Sequence, residues 1–303
     1  MSDEQLIKRR VINKMIEKYL SRHRQMRYTS EYDVDAFLNV CKDKNRLKHK
    51  QPDSINVKSN LDKDSFKDMQ VFRFNFGHHV QKKILYIPGG FYALQPSVFH
   101  WRFMDKLAYN TLHDIVMPIY PKLPDFHYQE TYDAIKALYF DLVDQVGADN
   151  IIIMGDSSGG TMALSLTQQL MKENKPLPHK LYLISPWLDA TMANPAITES
   201  LQDRDPVVSR FGIQSLSSRF GKGLKLDDPI LSPLNGQFEG LPPIYLFAGS
   251  EEINLPDYKK LQDVCMDLNQ SFQYYEYPKM IHSFPLYPIT DSRKVIKQIK
   301  KTL

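Results

Sequence analysis

Ser157 sits in Gly155-Asp156-Ser157-Ser158-Gly159-Gly160, directly after the apolar run Ile151-Ile152-Ile153-Met154 and directly before Thr161-Met162-Ala163-Leu164-Ser165-Leu166-Thr167. The run reads as a strand buried on both faces, and the segment after the glycines reads as a helix. A glycine-x-serine-x-glycine at such a junction is a nucleophile elbow, a sharp turn that holds the serine in a strained conformation while glycine lets the two backbones pass. It aims the hydroxyl into a cleft. It also sets the Ser158 amide at a helix N-terminus, where a free N–H favours an oxyanion. The same pattern without strand and helix around it would be an ordinary turn.

A serine nucleophile needs a base, and the base needs an orienting acid. His282 follows the last strand pattern, in Tyr277-Pro278-Lys279-Met280-Ile281-His282-Ser283-Phe284, among apolar residues that shield a neutral imidazole. The acid should come from the end of the strand before it, where Gly249-Ser250-Glu251-Glu252-Ile253-Asn254-Leu255-Pro256-Asp257 offers three carboxylates. Glu252 is the first choice and Glu251 the alternative. Asp257 is expected to cap the helix that follows. The loop Pro88-Gly89-Gly90-Phe91-Tyr92 ends another strand, and its paired glycines let backbone amides approach a ligand closely, so Gly89, Gly90 and Ser158 are expected to form an oxyanion hole. Phe91, Tyr92, Trp187 and Phe284 are expected to line an apolar acyl pocket, with ordinary core packing as the alternative for each.

The elements that must position these residues alternate. Strands are expected at 115–120, 150–154, 180–184, 244–248 and 272–277, and helices at 98–112, 128–145, 160–172, 257–268 and 292–303. Before them, 69–76 and 83–87 are expected to form a hairpin around Gly77-His78-His79. Such alternation implies a mostly parallel sheet covered on both faces, with ligands at the carboxyl ends of the strands. Each of the motifs above lies at such an end. Residues 186–243 carry no strand pattern, and their length predicts a small helical insertion rather than a plain loop.

The N-terminal segment is different. Leu6, Ile12, Met15, Ile16, Tyr19 and Leu20 recur at helical spacing with lysines and arginines between them, a basic amphipathic helix expected to pack on the body of the protein, a membrane surface being the alternative. A second helical pattern carries Val34, Phe37, Leu38 and Cys41, and the lysine-rich stretch 42–60 reads as a connector.

At 303 residues, with 42% hydrophobic and 24% charged residues, the chain is long enough for one large α/β domain and its composition excludes disorder. A net charge of +4 is too mild to argue for nucleic acid. The two cysteines, Cys41 and Cys265, are expected to be buried, reduced singletons. His78 and His79, adjacent and without a nearby carboxylate, read as a solvated turn rather than a metal site. No apolar run is long enough to span a membrane and no signal pattern opens the chain, so a cytoplasmic location is expected. No metal or organic cofactor is implied.

With these pieces in place, the sequence resembles the α/β-hydrolase superfamily and, within it, the hormone-sensitive-lipase-like esterases. The resemblance is carried by Gly155 to Gly160, by Pro88-Gly89-Gly90-Phe91, by Tyr120-Pro121-Lys122-Leu123-Pro124, by Ser185-Pro186-Trp187-Leu188-Asp189, by Ser232-Pro233-Leu234, by Gly249-Ser250-x-Glu252 and by Met280-x-His282-x-Phe284. It implies an α/β-hydrolase fold over 56–303, with residues 1–55 and an insertion at 187–235 forming a cap above the serine. It implies ester hydrolysis by Ser157, His282 and Glu252, and the apolar pocket expected from Phe91, Tyr92, Trp187 and Phe284 points to uncharged esters of short to medium chain. Two rivals remain: a non-catalytic ligand-binding protein on the same fold, and an amidase or peptidase with the same triad. The family's loop begins His-Gly-Gly-Gly, whereas Pro88 and Phe91 stand at the first and last positions here; the histidine that normally braces that loop is absent, which implies modest turnover. A protease of the chymotrypsin type, with its similar Gly-Asp-Ser-Gly-Gly, is excluded because here the serine precedes both a helix and its histidine.

Overall fold

The computed structural model describes residues 28–75 and 82–303, together with Ile7, Val11, Lys14, Met15 and Lys18. The expected N-terminal amphipathic helix lies largely outside the described residues, and the turn at His78-His79 wholly so.

Eight strands form one sheet: β1 (Asn60–Phe66), β2 (Met69–Asn75), β3 (Lys83–Ile87), β4 (Asp114–Pro118), β5 (Ile151–Asp156), β6 (Lys180–Ile184), β7 (Ile244–Gly249) and β8 (Phe272–Tyr277), in the order β1-β2-β4-β3-β5-β6-β7-β8. From β4 to β8 all neighbours are parallel, while β1 with β2 and β2 with β4 are antiparallel. Every residue of β5 and β7 is buried, as a strand covered on both faces requires. The connecting helices are α1 (Glu31–Asn45), α2 (Val98–Thr111), α3 (Tyr128–Val146), α4 (Ser158–Lys172), α5 (Glu199–Arg204), α6 (Arg210–Gly221), α7 (Leu255–Asp267) and α8 (Thr290–Thr302).

The hairpin differs from the sequence expectation. β2 does not pair with β3, because β4 lies between them, with Val71 opposite Pro118 and Ile84 opposite Ile115. The hairpin instead joins β2 to β1 through Lys67-Asp68, where Lys67 takes a φ of 52°. Sequence reading leaves β1 unrecognised because Asn60-Leu61-Asp62-Lys63-Asp64-Ser65-Phe66 is too charged to alternate. It is an edge strand, and charge on an exposed edge is tolerated and discourages pairing with other chains.

The stretch without strands, 186–243, holds α5 and α6. Helix α6 packs against α1: Arg219 pairs with Glu31 and Asp35, Ser215 donates to Glu31, and Ser209 donates to the Tyr28 carbonyl at 2.7 Å. Exposed pairs of this kind contribute little; the buried Tyr28 ring, set between Phe37 and Phe91, contributes more to the joint. Cys41 and Cys265 are buried and form no disulfide among the described residues. Among the described residues no helix is long and apolar enough to cross a membrane.

Candidate active site

β5 ends at Asp156 and α4 begins at Ser158, so Ser157 makes the whole turn by itself, with φ 51° and ψ −128°. A non-glycine residue held there stores of order 1–3 kcal/mol of strain. The tightness of the turn explains both glycines. A Cβ on Gly155 would fall 2.4 Å from the Gly159 carbonyl oxygen, and one on Gly159 would fall 2.1 Å from that of Ile87.

The turn delivers the serine to the base. Ser157 Oγ lies 2.9 Å from His282 Nε2, and His282 Nδ1 lies 3.2 Å from Glu252 Oε2. An ionised carboxylate only accepts, so Nδ1 carries the proton and Nε2 is left to accept from the Ser157 hydroxyl. Glu252 is held in turn. Its Oε1 accepts from Ser185 Oγ at 2.7 Å and from the Gly249 amide, and its Oε2 from Tyr258 Oη at 2.8 Å. Ser185 Oγ also accepts from the Ser283 amide at 3.0 Å, which fixes the histidine loop to the same post.

The competing carboxylates face elsewhere. Glu251 turns to Lys279 at 3.0 Å and Arg204 at 3.8 Å. Asp257 does not cap α7: Asn254 holds the cap position, and Asp257, in the first turn, accepts from Asn194 at 2.8 Å. Burial raises the Asp257 carboxyl to about 6. A fourth carboxylate enters from the insertion. Asp205, fully buried, accepts from the amides of Val207 and Ile253, binding the insertion to the turn that carries Glu252.

These charges set the base. Burial would depress the His282 imidazole, but the hydrogen bond and charge of Glu252, joined by the charges of Asp205 and Asp156, outweigh it and raise the group above its usual range.

The oxyanion loop departs from expectation in one respect. The Gly89 amide is already used, donating to Asp156 Oδ1 at 2.9 Å, because a buried carboxylate next to the elbow must be satisfied. The amides of Gly90, Phe91 and Ser158 make no hydrogen bond among the described residues. Gly90 and Phe91 border the cavity that opens at Ser157, and the unbonded amides on this loop are therefore those of Gly90 and Phe91 rather than of Gly89 and Gly90.

Sequence reading also missed the brace of that loop. Asp156 accepts from Tyr86 Oη at 2.6 Å as well as from Gly89, and His100 Nε2 of α2 lies 3.3 Å from its Oδ2. His100 Nδ1 accepts from the Ser97 amide at 3.0 Å, so Nε2 is the protonated nitrogen that faces Asp156. Burial alone would raise the Asp156 carboxyl, but the His100 ring and these hydrogen bonds hold it below its usual range. Pro88 therefore does not leave the loop unbraced. The Tyr120 hydroxyl adds a bond of 2.6 Å to the Pro88 carbonyl. A single histidine inside a helical pattern gives no sign of this role.

A cavity of about 210 Å³ opens at the serine, walled by Phe91, Val98, Phe99, Val207, Leu286 and Tyr287, with Gly90, His100 and His282 around Ser157. Of the four aromatics expected to line it, only Phe91 does. Tyr92 stacks on Phe220 at 4.1 Å, Trp187 packs edge-on against Phe91 and Tyr92, and Phe284 packs on Tyr277, all three fully buried in the core.

A family model described as alpha/beta hydrolase fold matches residues 84–286. A triacylglycerol lipase of Mycobacterium tuberculosis is 28% identical over 73% of this chain and 46% of its own, so the chain spans about half the length of that relative. An esterase of Acinetobacter venetianus is 31% identical over 67% of this chain and 68% of its own. Among solved structures, a candidate esterase of Staphylococcus aureus superposes with a TM-score of 0.89 at 51% identity, covering 90% of this chain and 93% of that one. A hormone-sensitive-lipase homologue from a metagenome library shares the fold, with a TM-score of 0.79 at 22% identity over 97% of this chain and 96% of the other.

Proposed function

The chain belongs to the α/β-hydrolase fold family, and from that premise we propose that it is a serine carboxylesterase acting on uncharged short- to medium-chain acyl esters through Ser157, His282 and Glu252. The observation that carries this reading is the 2.9 Å approach of Ser157 Oγ to His282 Nε2 at the floor of an apolar cavity. The esterase and lipase names of its relatives support the reaction class.

His282 takes the Ser157 proton as the oxygen attacks the acyl carbonyl, and Glu252 stabilises the imidazolium that forms. The amides of Gly90, Phe91 and Ser158 receive the oxyanion, each such donor being worth about 3 kcal/mol of barrier. His282 then gives the proton to the departing alcohol, leaving an acyl-serine. Water, deprotonated by the same imidazole, releases the acid and restores Ser157. At about 210 Å³ the cavity has room for roughly seven water-sized groups, which favours the short end of the acyl range. Residues 187–235, together with α1 and the segment before it, serve as a cap: Val207 forms part of the cavity wall, and Tyr28 supports Phe91 from outside.

A series of p-nitrophenyl esters from acetate to decanoate tests the substrate class, with Ser157→Ala as control. Turnover should be greatest for the shorter chains and absent in the variant. Turnover that rises steadily to decanoate would contradict the assigned pocket.

A further inference from the structure

A second cavity, of about 810 Å³, lies behind the oxyanion loop, between the end of α1, the β1–β2 turn, the segment after β4 and the start of α3. Its size falls in the range of small-molecule sites. Leu47, Phe66, Met69, Ile119 and Phe126 give it apolar walls. The charges at its rim are exposed and of both signs, Arg46, Lys48 and Lys67 against Asp68, Asp125 and Asp133, with Asp125 paired to Lys42 and Arg46.

One charged side chain lines it from within. Lys122 is 3% exposed, and no carboxylate lies within ion-pair distance of it among the described residues. Its Nζ has the Gln95 amide oxygen at 3.3 Å and the face of Tyr120 at 4.4 Å. Neither compensates a buried ammonium as a carboxylate would. Burial lowers the amine to about 7, with the Cys41 thiol and the His49 ring as its titratable neighbours. Beside it, Asn45 Oδ1 is buried without a partner among the described residues. The triad makes no use of this lysine.

We propose that this cavity is a second binding site, for a monocarboxylate with an unbranched apolar tail, whose carboxylate pairs with Lys122 and whose chain lies against Phe66, Met69 and Phe126. The pairing supplies the counter-charge that the fold withholds, and the apolar walls shed water onto a chain rather than onto a polar ligand. The site abuts the catalytic machinery through Tyr120, which lines it and bonds the Pro88 carbonyl. It requires no hydrolysis.

The test is photo-crosslinking of the full chain in a Ser157→Ala background, so that no ester is hydrolysed during labelling, with a diazirine-bearing decanoic acid and with its methyl ester, the modified peptides being mapped by mass spectrometry. The acid should label the segments containing Met69 and Phe126. Labelling should fall roughly tenfold or more with the methyl ester and in Lys122→Met, the loss of one charge-assisted hydrogen bond. Ala137→Trp, which puts a large ring into the cavity from α3 and keeps Lys122, should weaken it. Lys122→Met replaces a buried amine by an apolar chain of similar length, so it is expected to fold. The proposal is overturned if those segments are unlabelled, if acid and ester label them alike, or if either variant labels as wild type. Loss of esterase activity plays no part in the readout, so this site and the hydrolytic reading stand or fall separately.

Discussion

Asp156 accepts the amide proton of Gly89 at 2.9 Å, joining the residue before the nucleophile to the loop that faces it across the cavity. His100 and Tyr86 complete the hold on that carboxylate. Where the family motif places a histidine in the loop at position 88, the histidine that reaches this carboxylate comes here from α2.

If His100 steadies the loop through Asp156, His100→Ala should lower kcat by about ten- to a hundredfold while KM changes little, since misplacing oxyanion donors costs transition-state binding rather than substrate binding. Steady-state kinetics on a short p-nitrophenyl ester will decide. An unchanged kcat would reduce the His100 contact to packing.

The pH profile follows from the charges around the imidazole. His282 is raised above the ordinary histidine value of about 6.5, and only the neutral ring can take the Ser157 proton, so kcat/KM should be lost as pH falls through a value above 6.5. Asp205→Asn removes one of the carboxylates that raise it, its single amide oxygen serving either the Val207 and Val208 amides or the Ile253 amide, and in the folded variant the acid limb should move to lower pH. A limb that stays in place would remove Asp205 from the electrostatics of the site.

Pocket and core aromatics should separate on mutation. Leu286→Ala widens the cavity wall and should move the preferred ester to longer chains. Trp187→Ala should cost about 3–5 kcal/mol of stability in chemical denaturation and leave the order of preference unchanged. The reverse pattern would put Trp187 back in the acyl pocket.

Ser157, His282 and Glu252 were legible as candidates because each follows a parallel strand, and parallel strands bring their carboxyl ends to one rim whatever their distance in sequence. The fold class was legible for the same reason. Charge hid β1, since an edge strand need not alternate. The engagement of the Gly89 amide was not legible, because nothing in Pro88-Gly89-Gly90-Phe91 tells that the carboxylate of Asp156, distant in the chain, claims it. Tyr92, Trp187 and Phe284 look alike in sequence whether they face a cavity or the core. Only their neighbours distinguish the two, and Phe220, the partner of Tyr92, lies in the insertion that no strand pattern locates.

The hydrolytic reading depends on an activated hydroxyl at Ser157, and covalent labelling reports on that group directly. Treatment with a fluorophosphonate followed by peptide mass spectrometry should give one adduct, on Ser157, formed faster as pH rises through the titration of His282 and absent in Ser157→Ala and His282→Ala. A protein that stays unmodified, or a Ser157→Ala variant that labels as fast as wild type, would contradict it.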